Sequence, residues 1–262
     1  MKLRIYQIDA FTNQVFAGNY AAVVPLPAWL PDEKMQQIAA ENNLSETAFY
    51  VARDDVFEIR WFSPITEIDF CGHATLASAF VIFDLEPKRN EIVFSTIKVG
   101  ALTIKRGKDG LLEMDFPNQA PEAVTEIPTE LLEGLSIKPV QVLKNRQAYF
   151  AVYDREDDVR NVVPNLKQIK KLGPLDVVVT APGKEVDFVS RYFWPANGGV
   201  EDPVTGSIHT GLAPYWAKRL GKETLHAYQA SQRGGHLFLE LRTDRVIVSG
   251  HAVKYLEGVI HV

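Results

Sequence analysis

Thr75-Leu76-Ala77-Ser78-Ala79-Phe80-Val81-Ile82-Phe83-Asp84 offers no polar face at helical spacing. Such a helix has to sit in the middle of a domain rather than on its surface. A second stretch, from about residue 206 to 220, is also apolar on most faces. Short β-like runs surround each. Before the first lie alternating runs at 2–9 and 21–25, an amphipathic helix opened by Pro31-Asp32-Glu33 with Met35, Ile38 and Ala39 on one face, and strands at 47–51 and 57–62. After it come a strand at 91–95 and a hairpin over 97–116, turned by Gly107-Lys108-Asp109-Gly110. The second half repeats that order. Strands at 140–143 and 148–153, a helix near 166–171, and strands at 176–180 and 187–193 precede the second apolar helix. A hairpin-like pair at 236–242 and 245–249 follows it. Gly100-Ala101-Leu102-Thr103-Ile104 and Gly235-His236-Leu237-Phe238-Leu239 occupy matching places after the two helices. The pattern is that of a duplicated α+β domain, each half curving a sheet around one buried helix. Residues 117–139, with four prolines and several acidic residues, read as the linker.

Composition narrows the function classes. The chain has 262 residues, 46% of them apolar, enough for one large core or two smaller ones. Its 28 basic and 33 acidic residues are spread without runs, so nothing suggests nucleic acid or an anionic membrane as partner. No apolar stretch approaches the roughly 20 residues that span a bilayer. The N-terminus meets Asp9 before a signal-like segment develops, and the single cysteine, Cys71, excludes an internal disulfide. A cytoplasmic location is expected.

Four stretches combine Gly or Asn with polar residues: 43–47, 71–75, 197–207 and 231–235. Gly72 and Gly206 stand just before the two apolar helices, where unpaired N–H groups make an anion site. Plain turn-making by these glycines is the alternative. Glu46 lies in an apolar, strand-forming context, Leu44 and Ala48-Phe49-Tyr50-Val51, which suits a carboxylate that shuttles a proton. A solvated glutamate at a strand mouth is the plainer reading. The six histidines form no metal pattern, and Cys71 with His73 is too close and too isolated for zinc. No Gly-x-Ser-x-Gly elbow, Walker loop or Gly-x-Gly-x-x-Gly occurs, so no metal and no cofactor is expected.

Taken in order, these stretches resemble the phenazine-biosynthesis PhzF-like isomerase family. The resemblance is carried by Gln7-Ile8-Asp9-Ala10-Phe11-Thr12 with Phe16-Ala17-Gly18-Asn19, by Asn43-Leu44-Ser45-Glu46-Thr47, and by Arg60-Trp61-Phe62-Ser63-Pro64. Cys71-Gly72-His73-Ala74-Thr75, Glu201-Asp202-Pro203-Val204-Thr205-Gly206-Ser207 and Gln229-Ala230-Ser231-Gln232-Arg233-Gly234-Gly235 complete it. It implies the diaminopimelate epimerase-like fold, with two pseudo-twofold-related domains at 1–117 plus about 250–262 and at 118–249. It also implies an active site between them, helix starts at Gly72 and Gly206 facing one another across it, and a homodimer. Epimerases of this fold use two cysteines. Here Cys71 matches the first, and Pro203 is expected at the place of the second.

The resemblance therefore implies a cofactor-independent isomerase that moves a proton on a small carboxylate-bearing metabolite, cyclic unsaturated acids included. Glu46 would be its acid/base, with His73 and Asp202 in catalysis. Asn19, Ser45, Gly72, Gly206 and Ser207 would bind substrate. Two alternatives stay open: an amino-acid-type epimerase or racemase with Cys71 as one base, and an inactive protein that binds small carboxylates.

Overall fold

The computed structural model describes all residues, 1–262, as two compact units: Met1–Asp115 with Ser249–Val262, and Phe116–Val248. The first contains strands β1 (Lys2–Ala10), β2 (Asn19–Leu26), β3 (Glu46–Arg53), β4 (Val56–Phe62), β5 (Glu67–Ile68), β6 (Glu91–Ser95), β7 (Ala101–Arg106) and the start of β8 (Leu112–Pro117). Its helices are α1 (Asp32–Asn42) and α2 (Gly72–Leu85). The second contains β9 (Glu122–Ala123), α3 (Thr129–Glu133), β10 (Gln141–Lys144), β11 (Ala148–Val152), α4 (Glu156–Asn161) and α5 (Leu166–Ile169). These are followed by β12 (Asp176–Pro182), β13 (Phe188–Phe193), β14 (Glu201–Asp202), α6 (His209–Leu220), β15 (Thr224–Gln229) and β16 (Gly235–Leu241). Through β17 (Arg245–Gly250) the chain re-enters the first unit, where β18 (Ala252–His261) pairs antiparallel with β1. No helix is long and apolar enough to cross a membrane.

The two units repeat one topology. In the first, β2 runs parallel to β3, β3 antiparallel to β4, β4 parallel to β6 and β6 antiparallel to β7. In the second, β11, β12, β13, β15 and β16 repeat that alternation of parallel and antiparallel pairings. The short strands β5 and β14 lie antiparallel on β4 and β13, and each leads to an apolar helix. Even an ion pair is duplicated: Arg60 grips Glu67 with both its Nε and Nη2, at 2.7 Å each, and Arg191 grips Glu201 at 2.8 and 3.0 Å. In both cases the guanidinium lies over the ring two residues on, Phe62 or Phe193.

Helix α2 buries ten of its residues, among them Leu76, Val81, Ile82 and Phe83. Each of these four removes enough apolar surface from water to contribute roughly 1.5–3 kcal/mol. Its Thr75 and Ser78 hydroxyls are tolerated inside because they donate to the carbonyls of Cys71 and Ala74, at 2.6 and 2.8 Å. Helix α6 contains Pro214, which cannot bond the Thr210 carbonyl. Gln119 N–H fills that place at 3.1 Å. Gly211 lets the same segment approach, since a methyl there would stand 3.0 Å from the Gln119 carbonyl oxygen and 2.7 Å from Phe150.

Two expectations need correction. Residues 117–139 are not a free linker, because Leu131 and Leu135 are buried in the core of the second unit. Its prolines cap the short helix α3 and bound short strands rather than marking flexibility. Helix α6 begins at His209, not at Gly206: the N–H groups of His209 and Thr210 bond back three residues to Gly206 and Ser207, a tight turn preceding the helix.

Candidate active site

The site in the first unit is assembled from three chain segments. β1 ends in a tight loop in which Phe11 and Phe16 both take left-handed backbone, φ 64° and 71°. Such conformations are uncommon for bulky residues and cost about 1–3 kcal/mol each. The buried Asp9 carboxylate accepts the Phe16 N–H at 2.9 Å and holds the loop. Gly18, at φ 66°, returns the chain to β2 where a methyl would fall 2.1 Å from the Ala10 carbonyl oxygen. The next residue is Asn19, fully buried at the start of β2. Glu46 opens the neighbouring parallel strand β3, opposite Ala21. The third segment is the first turn of α2.

These segments bring together Asn19, Ser45, Glu46, Cys71, Gly72 and His73. His73 Nε2 is 2.9 Å from Glu46 Oε2, both side chains more than nine-tenths buried. That approach is off line for a hydrogen bond, so Oε2 is buried against the imidazole without an aligned donor. The ring's other nitrogen, Nδ1, lies 3.1 Å from the Asn19 amide nitrogen, and the Cys71 sulfur stands beside the ring, 3.4 Å from Nδ1 and 3.8 Å from Nε2. A neutral ring with its proton on Nε2 can accept from Asn19, and a protonated ring can donate from Nδ1 to the sulfur. The surroundings therefore serve both protonation states. Ser45 Oγ donates to the Tyr20 carbonyl at 3.1 Å and approaches Asn19 Oδ1 at 3.5 Å, which ties the two strand starts together.

Burial by itself would make the His73 ring easier to deprotonate, but the Glu46 carboxylate, with the Cys71 sulfur as an acceptor, outweighs it and raises its pKa above 6.5. The Cys71 thiol is pushed up to about 11, by burial first and by the Glu46 charge second. It is a neutral thiol at ordinary pH. Gly72 and His73 occupy the first turn of α2, whose Cys71 cap makes no side-chain hydrogen bond to the helix N–H groups. Their N–H groups, with the positive end of the helix dipole, suit an anion. A methyl on Gly72 would meet only Phe70, at 3.8 Å, so packing does not require glycine there.

Asp202, Gly206 and Ser207 belong to the second unit. Thr205 Oγ1 donates to Asp202 Oδ2 at 2.5 Å. Gln229, which opens the 229–235 motif and shows no role in the sequence alone, locks this turn. Its amide oxygen accepts the Thr205 N–H at 2.9 Å, and its amide nitrogen donates to the Asp202 carbonyl at 2.8 Å. Ser207 Oγ accepts from Gln147 at 2.9 Å, and Gln147 also donates to Tyr192 Oη at 3.0 Å. Gln147 carried no motif signal at all. In the repeat, Asp176 opens β12 as Glu46 opens β3, opposite Ala148 of the parallel neighbour. Tyr192 at 2.6 Å and Asn197 at 2.8 Å both donate to Asp176, which makes it a satisfied structural carboxylate.

His209 is the fully buried first residue of α6, and its Nδ1–H donates to the Thr205 carbonyl at 2.8 Å while Nε2 has no partner. Burial pushes its pKa down to about 4. A histidine held neutral in the fold leaves stability unaffected above its unfolded value near 6.5. Stability then declines as pH falls from there through about 4, where the unfolded chain takes up the proton more readily. The expected loss is about 3 kcal/mol over that interval. Urea unfolding at several pH values should show it, and His209→Gln should flatten that part of the profile. An unchanged profile in the variant would assign the acid sensitivity elsewhere.

A family model described as phenazine biosynthesis-like protein (PhzC-PhzF) matches residues 8–258. An uncharacterized isomerase of Pseudomonas aeruginosa is 47% identical over 261 residues, covering 100% of both chains. The crystal structure of a phenazine biosynthesis protein of the PhzF family from Enterococcus faecalis superposes with a TM-score of 0.96 at 43% identity, again over 100% of both chains. A hydroxyproline epimerase from Agrobacterium vitis reaches 0.58 at 8% identity, covering 99% of this chain and 92% of that one, which shows a shared fold alone.

Proposed function

We propose, from the premise that this chain belongs to the PhzC-PhzF family of phenazine biosynthesis-like proteins, that it is an isomerase with Glu46 as its single acid/base. The observation that carries the reading is the buried Glu46–His73 pair beside the first turn of α2. Its substrate is a small carboxylate-bearing molecule with a C–H bond acidified by neighbouring unsaturation. Glu46 takes that proton, the electron pair shifts along the unsaturated system, and the same carboxyl returns the proton to another carbon. One C–H bond breaks and one forms, so no oxidant, reductant or cofactor takes part. His73, held cationic, stabilises the carboxylate before transfer and the developing negative charge during it. The Gly72 and His73 N–H groups receive the substrate carboxylate. By the family pattern Asp202 joins His73 in catalysis, hydrogen-bonding the substrate and helping to relay protons, and Ser207 binds substrate, with Gln229 and Gln147 holding them in place.

The test is incubation with small aromatic and cyclohexadiene carboxylates in deuterated water. Deuterium appearing at carbon in a compound that also stabilises the fold against heat supports the reading. Stabilisation without exchange by any compound would favour a binding protein. An epimerase using Cys71 is disfavoured because its thiol stays protonated and because the family pattern puts Pro203 at the place of the second thiol. Cys71→Ser is accordingly expected to keep turnover within a few-fold of the parent. Abolished turnover in a folded Cys71→Ser protein would restore the thiol-base mechanism.

A further inference from the structure

Cys71 transfers no proton in the chemistry proposed above, yet its sulfur converges with two groups that act in it. Ligand atoms of Glu46, Cys71 and His73, one from each, all lie within 4.8 Å of one another, and all three residues are buried. This corrects the expectation that Cys71 and His73 stand isolated: the third donor comes from β3, 25 residues before Cys71 in the sequence. We propose that these three side chains form a binding site for a zinc-like divalent cation, and that the bound cation inhibits the enzyme.

The donor set decides the class of ion. Once the cation displaces the protons that Cys71 and His73 carry, one thiolate, one imidazole and one carboxylate select a borderline or soft cation over magnesium or calcium, which prefer oxygen alone. Three protein ligands with a fourth position open is an arrangement zinc adopts readily. The spacing is near what that geometry requires. Around tetrahedral zinc, neighbouring sulfur, nitrogen and oxygen donors stand roughly 3.3–3.6 Å apart, from bond lengths of about 2.0–2.3 Å. Here Nε2 is 2.9 Å from Glu46 Oε2 and 3.8 Å from the Cys71 sulfur. With Nε2 on the cation, Nδ1 remains beside Asn19, which would orient the ring from behind.

A second observation concerns the carboxylate itself: Glu46 Oε2 is buried and faces only His73 Nε2, off line for a hydrogen bond, and a cation seated between the two would satisfy both. The metal would hold the carboxylate that has to accept a proton, and so stop exchange. That inhibition rests on the isomerase reading; the binding does not.

Cadmium is the discriminating probe, because a thiolate bound to it gives an ultraviolet charge-transfer band and Cys71 is the single cysteine in the chain. Surface binding, for instance at the exposed His226–His236 pair with nitrogens 3.0 Å apart, gives no such band. Titrating the full-length protein with cadmium chloride should produce a saturable band that is absent in Cys71→Ser. Glu46→Gln and His73→Asn should each weaken the affinity read from it by at least about tenfold, since loss even of an outer partner costs 10–100-fold. Zinc chloride should displace cadmium, and should also protect Cys71 from alkylation. A folded parent protein without the band, or a band of equal affinity in both Glu46→Gln and His73→Asn, would overturn the three-ligand site. Either outcome leaves the isomerase reading intact, because the band reports binding and not turnover. A normal band with no effect of zinc on deuterium exchange would instead remove the inhibition.

Discussion

Glu46→Gln is expected to lower proton transfer to and from carbon by about 10²–10⁴-fold, the usual contribution of a positioned general base. Glutamine keeps the volume of the buried side chain but loses the charge and the ability to accept a proton. Oε2 has no aligned hydrogen bond to lose, and His73 can shed its proton once the carboxylate of the buried pair is gone, so the fold should survive the change. The charge beside His73 disappears as well. Glu46 is one of the neighbours that favour the protonated ring, and without it burial weighs more heavily towards the neutral form. The variant therefore loses both the base and part of the positive charge beside it. Deuterium incorporation into a turned-over carboxylate measures the effect, and circular dichroism checks the fold. Undiminished exchange in a folded Glu46→Gln protein would remove Glu46 from the chemistry and the single-base mechanism with it.

Trp216→Ala is the largest expected loss of stability, about 3–5 kcal/mol. The indole is fully buried in the second unit and stacks on Phe188, ring centres 5.7 Å apart and 10° from parallel. Its Nε1–H donates to Thr180 Oγ1 at 3.0 Å, and Thr180 donates in turn to the Val189 carbonyl at 2.8 Å. One side chain thus ties α6 to both β12 and β13. Truncation leaves a cavity that the stacked rings cannot collapse into, and it removes a donor from a buried hydroxyl. A urea-unfolding series should show the change, with Trp216→Phe losing much less because it refills most of the space. A cost below about 1 kcal/mol for the alanine variant would mean that α6 does not depend on this anchor.

Local signals made a large part of the fold legible. The absence of any polar face in residues 75–84 marked a buried helix, and α2 is buried on almost all sides. Met35, Ile38 and Ala39 marked the inner face of α1, and all three are buried. The duplicated order of elements survives as a duplicated pattern of pairings. Other elements left no usable pattern. β5 and β14 have two residues each, too few for alternation to show. β18 is at least partly exposed along its whole length, so its apolar residues do not alternate with polar ones, and its place follows from pairing with β1. Residues 117–139 looked like a linker because prolines interrupt them, although Leu131 and Leu135 are core residues.

The sequence by itself determined which stretches are strand or buried helix, and which residues could do acid–base chemistry, because periodicity and side-chain type are properties of a few neighbouring positions. Only the tertiary structure decided that Glu46, 27 residues before His73 in the sequence, meets its imidazole at 2.9 Å with the Cys71 sulfur beside the same ring. That meeting depends on β2 and β3 running parallel with Ala21 opposite Glu46, and on β5 delivering the first turn of α2 beside them. Strand order and register are settled by burial of the whole sheet face, since a slip of one residue would turn Glu46 to the opposite face of the sheet.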